Sequence, residues 1–132
     1  NNVVFPPYQQ VVPKEAKSTA VLDRLELMTV LRRCLTLAPE KTGTVKLHFE
    51  GKKKLLHVSS DNPDVGLIQD MVDMDWTGSD LVAGYNAQYL VDALEVIGTK
   101  SVHMGLTGEL EPMVIRPIDG PDFLSVVMPM RI

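Results

Sequence analysis

The last ten residues, FLSVVMPMRI (residues 123–132), form an apolar run that has no polar tail. Val126 and Val127 favour a β-strand. Pro129 has no N–H to donate and should end that strand, while Met128 and Met130 flank it with flexible, polarizable side chains. Chain ends are usually polar and loosely held. This run therefore predicts either a last core strand or a soft apolar surface of the kind that binding grooves require.

Length and composition predict one domain that is large enough to bury a core. The chain has 132 residues, of which 45% are apolar and 23% charged, close to the average for globular proteins. Its net charge of −4 does not indicate a nucleic-acid partner, but it does not exclude one, because charge can be segregated by face. Cys34 is the single cysteine, so an internal disulfide is excluded and a reducing compartment is expected. The start without an initiator Met suggests a piece of a longer protein.

The first thirteen residues (1–13) contain three prolines and are predicted to form an extended connector with a short strand at 8–12. The domain itself is then expected over residues 14–132.

The first half of the domain is predicted to contain one helix followed by strands. A short strand is expected at 19–22, and Asp23 with Glu26 fits a capping box that opens a helix over 24–37. Strand patterns follow at 44–49, 54–60, 65–76 and 80–85, with a bend in the third of them expected near Asp70.

The second half has the same order. Asn86 is a good N-cap, the apolar face from Tyr89 to Ile97 has helical spacing, and Gly98 supplies the C-terminal stop. Three more strands are expected at 101–106, 113–118 and 123–128. A helix followed by strands, twice, predicts an α+β fold in which two helices pack on antiparallel sheet, and the two halves can share one sheet layer.

Motifs for catalysis or metal binding are not found in this sequence. It has no Gly-rich phosphate loop, no paired Cys or Cys/His spacing and no nucleophile-elbow serine. His48 and His57 could lie across one hairpin and hold a metal in principle, but no third ligand can be named, so exposed strand histidines are favoured. We therefore predict no catalytic residue, no metal and no cofactor.

Several segments together resemble the bacterial DNA polymerase III β subunit, the replicative sliding clamp. They are FPPY (5–8) leading to VVP (11–13), GYNAQYL (84–90), PMVI (112–115) and above all VVMPMRI (126–132). The resemblance covers the whole chain, but only the third and last domain of the family's three-domain protomer together with the connector that enters it.

The resemblance implies a fold of two βαβββ halves, which agrees with the element order above. It also implies a non-catalytic processivity factor: a ring of two protomers that encircles duplex DNA, with helices lining the hole. Polymerases, the clamp loader and repair proteins would bind through short peptides to one apolar groove on each protomer. The location implied is the bacterial cytoplasm, at the nucleoid, and the isolated domain should be monomeric.

The resemblance implies three groups of site residues, of which the groove residues are assigned by motif match. The groove would include Pro6, Tyr8, Gln10, Val11, Asn86, Tyr89, Leu110, Pro112, Val126, Val127, Met128, Pro129, Met130, Arg131 and Ile132. The family often has arginine where Gln10 stands. DNA would be faced by Arg24, Arg32, Arg33 and Lys46. The ring interface would include Leu35, Thr36 and Leu37 at the end of the first helix, together with the neighbouring strand edge. The alternative reading is a stand-alone peptide-binding adaptor with no DNA contact.

Overall fold

The computed structural model describes residues 16–37, 43–62, 66–121 and 124–130. Within these ranges the elements, in chain order, are β1 (Ser18–Asp23), α1 (Arg24–Leu37), β2 (Thr44–Glu50), β3 (Leu55–Asn62), β4 (Gly66–Asp73), β5 (Asp75–Thr77), β6 (Leu81–Asn86), α2 (Ala87–Ile97), β7 (Ser101–Leu106), β8 (Met113–Pro117) and β9 (Ser125–Val127). The predicted connector, with its strand at 8–12, lies outside the described residues.

The strands form two antiparallel sheets, and the α+β prediction is confirmed. The five-stranded sheet has the order β5-β1-β7-β8-β9, and the four-stranded sheet has the order β4-β3-β2-β6. Each half of the chain therefore places its first strand in the sheet of the other half: β1 joins β7, while β6 joins β2. The sequence suggested that the two halves can share one sheet layer, whereas the strands are divided between two sheets, each of which takes a strand from the other half.

Each helix begins directly after a strand whose last residue caps it. The Asp23 carboxylate accepts a hydrogen bond from the Glu26 N–H at 2.9 Å, and the Asn86 side chain accepts one from the Tyr89 N–H at 3.0 Å. Both caps satisfy an N–H that would have no partner within its helix. Gly98 ends α2 with a φ of 74°, a conformation that favours glycine.

The apolar stretch over 65–76 breaks at Met74, so the bend expected near Asp70 was wrong. The Met74 N–H still donates to the Lys54 carbonyl at 3.1 Å, but the next three residues pair with β1 as β5. Trp76 is buried there and stacks on Phe49 at a centroid distance of 4.9 Å. The position of the break follows from this aromatic contact and the new strand partner, neither of which is local in sequence.

The core lies between the helices and the sheets. Helix α1 contacts β3 and β4, α2 contacts β6, β8 and β9, and the two helices contact each other. Alternation along β2 shows how the strands contribute, because Val45, Leu47 and Phe49 are buried while Lys46 is exposed on the other face. Neither helix in the described ranges is long and apolar enough to cross a lipid bilayer.

Candidate functional site

The chain crosses from one sheet to the other directly after β9. Met130 donates its N–H to the Gly84 carbonyl at 2.7 Å and so forms an isolated bridge to β6. The Thr44 hydroxyl donates to the Met130 sulfur at 3.5 Å. Residues 128–130, here named the tail segment, therefore join the β9 edge of the five-stranded sheet to the β6 edge of the four-stranded sheet.

Exposed apolar side chains lie at the same end of the domain as the tail segment. Met128 is 60% exposed, Tyr89 in the first turn of α2 is 43% exposed, and Leu110 in the turn before β8 is 68% exposed. They lie at one end of the domain, because β6 ends, β8 begins and β9 ends there. The last ladder pair, Met113 with Val127, places Pro112 and Met128 one residue beyond it. We name Tyr89, Leu110, Pro112, Met128 and Met130 the apolar surface.

The other predicted groove residues have different positions. The Val127 side chain is fully buried, so it supports the apolar surface from behind, whereas Val126 and Pro129 are half-buried. Asn86 is half-buried and caps α2. The remaining predicted groove residues lie outside the described residues: Pro6, Tyr8, Gln10, Val11, Arg131 and Ile132.

The three arginines of α1 each have a partner. Arg24 donates to the carbonyls of Thr99, at 2.6 Å, and of Leu94, at 3.1 Å, and so binds the C-terminal end of α2. Arg32 pairs with Glu95 at 2.8 Å, and Arg33 pairs with Asp70. The helix side of the domain is therefore not a simple basic surface, because carboxylates accompany two of its three arginines.

Lys46 does not lie with these arginines. It alternates with buried Val45 and Leu47, so its side chain extends from the face of the four-stranded sheet that points away from the helices. Grouping Lys46 with the helix arginines is wrong for this fold, because alternation along a strand separates neighbouring residues onto opposite faces.

The predicted ring-interface residues lie at the end of α1. Leu35 packs against the core and is half-buried, Thr36 is exposed, and the side chain of Leu37 is outside what the structure describes. Helix α1 contacts β4, and the Arg33–Asp70 pair joins the two elements.

The edge of β4 is a feature that the sequence reasoning named only as a neighbouring strand edge. Its backbone bonds to β3 alternate, as in any antiparallel pair, and the series includes the bond from Met74 to Lys54. Leu67, Gln69 and Met71 therefore direct their N–H groups away from β3. The Met71 N–H donates to the carboxylate of the preceding residue, Asp70, at 2.9 Å. The outward N–H groups of Leu67 and Gln69 lie where another strand could pair with them.

Apolar side chains accompany these donors along the edge. Leu67 is 61% exposed and Met71 55%. A long edge with outward donors and apolar side chains is a template for pairing with another strand. The alternation of these exposed residues with buried Ile68 and Val72 was the available sequence signal.

The titratable side chains outside these surfaces pack against or pair with neighbouring side chains. His48 and His57 are direct cross-strand partners with ring centroids 5.2 Å apart, and His57 Nε2 lies 2.7 Å from the Glu50 carboxylate. Over the described ranges, no group of three or more His, Cys, Asp or Glu side chains could hold a metal ion. Burial raises the pKa of the Tyr85 hydroxyl and of the Cys34 thiol, which favours their neutral forms.

Comparison with known proteins gives one consistent result. The sequence model of the family "DNA polymerase III beta subunit, C-terminal domain" matches residues 9–131. The "Beta sliding clamp" of Pseudomonas aeruginosa is 32% identical over 128 residues, which are 97% of this chain and 34% of that protein. That of Synechococcus elongatus is 27% identical over the same share of each chain.

Solved structures agree with the sequence relatives. The P. aeruginosa DNA polymerase III subunit beta superimposes with a TM-score of 0.87 at 32% identity, covering 97% of this chain and 34% of that one. The DNA polymerase III beta subunit of Thermotoga maritima gives a TM-score of 0.87 at 32% identity, covering 98% of this chain and 35% of that one. The chain spans about a third of the length of these relatives. It belongs to the family formed by the C-terminal domain of the DNA polymerase III beta subunit.

Proposed function

We propose that this chain is the C-terminal domain of a sliding-clamp protomer and that it binds short peptides of replication and repair proteins at the apolar surface. The observation that carries the proposal is the tail segment, which leaves β9, bonds to β6 and leaves Met128 exposed at the end of the domain where Tyr89 and Leu110 are also exposed. In this proposal the protein performs no catalysis, residues 1–13 are the connector from a preceding domain, and the location is the bacterial cytoplasm at the nucleoid.

The apolar surface suits an extended peptide with a few apolar anchors. Methionine side chains adapt their shape to different partners, and Met128 and Met130 supply that property here. Met130 is fixed at its backbone by the bond to Gly84, so the peptide meets a positioned wall with adaptable side chains. The groove would be completed by part of a preceding domain and by residues at the two ends of this chain: Pro6, Tyr8, Gln10, Val11, Arg131 and Ile132.

Ring closure is the second part of the proposal. The outward N–H groups of Leu67 and Gln69 can pair with an edge strand of the partner protomer. The end of α1, with Leu35, Thr36 and Leu37, would lie beside this pairing because α1 contacts β4. The isolated chain carries only one side of this interface and is expected to sediment as a monomer.

DNA retention is the third part. In a closed ring the helix side would face the hole, and Arg24, Arg32 and Arg33 would attract phosphates weakly. Their pairing with carbonyls and carboxylates limits this attraction, which suits a ring that must slide. Replacing both Arg32 and Arg33 by Glu in the full-length protomer should weaken retention on nicked circular DNA at low salt. Unchanged retention would show that Arg32 and Arg33 do not face the DNA.

Peptide titration tests the docking site. A peptide with leucine and phenylalanine anchors should shift the methyl NMR signals of Met128 and Met130 in a full-length protomer, while Met71 serves as the internal control at the β4 edge. No shift at the tail methionines on saturation with the peptide would contradict the docking site. The adaptor alternative has less support, because the family match covers nearly the whole chain.

A further inference from the structure

The turn that carries Leu110 gives the apolar surface an acidic border. Glu109 and Glu111 are exposed on either side of Leu110, which is itself 68% exposed. The Glu111 N–H donates to the Gly108 carbonyl at 3.2 Å and closes the turn. The turn therefore presents one apolar side chain between two carboxylates.

Neither carboxylate is neutralised by a neighbour in the described part of the chain. Glu109 and Glu111 have no ion pair or hydrogen bond to any described side chain, whereas Glu95 pairs with Arg32. Lys17 is brought near the β7 end in space, since its N–H donates to the Leu106 carbonyl, but among the described residues its ammonium pairs with neither glutamate. Both carboxylates are thus available to a ligand that reaches Leu110.

The position of the turn relates these charges to the groove. Pro112 follows Glu111 directly and lies opposite Met128, one residue beyond the Met113–Val127 pair. A peptide that buries an anchor against Leu110 would lie next to the residues that carry the two carboxylates. A basic residue beside the anchor would gain attraction there, and an acidic one would be repelled.

We propose that the apolar surface selects partner peptides carrying a lysine or arginine next to the anchor that contacts Leu110. This inference rests on the proposed function, because it assumes that peptides bind at the apolar surface, and it adds a charge preference to that site. The occupant is a peptide with apolar anchors and a positive charge beside one of them.

Three fluorescent peptides test the preference on the full-length protomer. The peptides share leucine and phenylalanine anchors, and the residue just before the first anchor is Lys, Gln or Glu. A second series of three peptides varies the residue just after that anchor in the same way. For exposed ion pairs of ordinary strength, the Lys peptide should bind about three- to tenfold more tightly than the Glu peptide in one series. The difference should shrink when sodium chloride is raised, since salt screens exposed charges.

Variants assign the effect to the turn. Glu109→Gln with Glu111→Gln should remove the preference, so that the Lys, Gln and Glu peptides bind with similar affinities, and Glu109→Lys with Glu111→Lys should reverse it. The matched control is Asp75→Asn with Asp119→Asn, which removes two exposed carboxylates elsewhere and should keep the preference.

The outcomes separate this inference from the proposed function. Equal binding of Lys and Glu peptides in both series, or a preference that survives Glu109→Gln with Glu111→Gln, overturns the inference alone. Failure of all the peptides to bind the unmodified protein overturns the docking site and the inference together.

Discussion

Strands β4 and β9 are each the third strand after a helix and both lie at sheet edges, yet they differ in what the edge presents. β4 has eight residues, outward N–H groups and exposed Leu67 and Met71. β9 has three residues, after which the chain bonds to Gly84 through Met130. One topology thus gives a long edge, suited to another strand, and a short edge from which the chain continues to β6, suited to a peptide beside it.

Blocking the long edge should have the largest effect. Proline at Gln69 removes an N–H that points away from β3, so the ladder to β3 stays intact. We expect Gln69→Pro to weaken dimerisation of the full-length protomer by about a hundredfold or more, because strand pairing loses a donor and gains a clash. Sedimentation equilibrium measures this.

Gln69→Ala is the matched control and should dimerise normally, since the pairing uses the backbone. Equal dimerisation of the proline and alanine variants would show that the β4 edge is not the site of pairing.

Freeing the tail segment from β6 should have the next largest effect. Met130→Pro removes the N–H that bonds to Gly84 and frees the tail segment from β6. Peptide affinity should fall by about tenfold, consistent with one lost hydrogen bond plus the lost order of the wall. Fluorescence anisotropy measures it, and Met130→Leu, which keeps the N–H, should bind within about twofold of the unmodified protein. Similar loss in both variants would assign the effect to the side chain.

The two helix caps differ in their distance from the apolar surface, because only the Asn86 cap belongs to the helix turn that carries Tyr89. Asp23→Ala and Asn86→Ala should each lower the free energy of unfolding by about 1 kcal/mol, because each removes one cap. Only Asn86→Ala should also weaken peptide binding, since Asn86 orders the turn that carries Tyr89. Urea denaturation and anisotropy give the two readouts. Reduced peptide binding by Asp23→Ala would show that overall stability, not the local turn, controls the site.

The smallest effect concerns the outward face of the five-stranded sheet. Burial, followed by the cross-strand neighbour Arg116, lowers the pKa of His103 below its ordinary value of 6.5. The folded state therefore resists protonation of His103, so this residue should reduce the free energy of unfolding as the pH falls through 6.5. Arg116→Gln should raise the pKa of His103, which NMR titration of the ring protons measures. An unchanged titration would leave burial as the whole cause.

Local patterns were sufficient to predict most of the elements. The helix over 24–37 was correct because Asp23, Glu26 and the apolar spacing are local signals. The bend at Met74 was missed because it depends on Trp76 reaching Phe49 and on a change of strand partner. The prediction placed Lys46 with the helix arginines, although the alternation of buried and exposed residues along β2 puts its side chain on the opposite face of the sheet.

The sequence by itself determined the two helices, their caps, the repeated order of helix and strands, and the family, since periodicity, capping residues and motifs are read within short windows. It also indicated that the closing residues are both strand and surface. Only the tertiary structure decided that β1 and β6 exchange sheets, that residues 128–130 join the two edges, and that the arginines of α1 are paired. These features depend on contacts between residues far apart in the chain, which burial of a shared core selects and which no local pattern records.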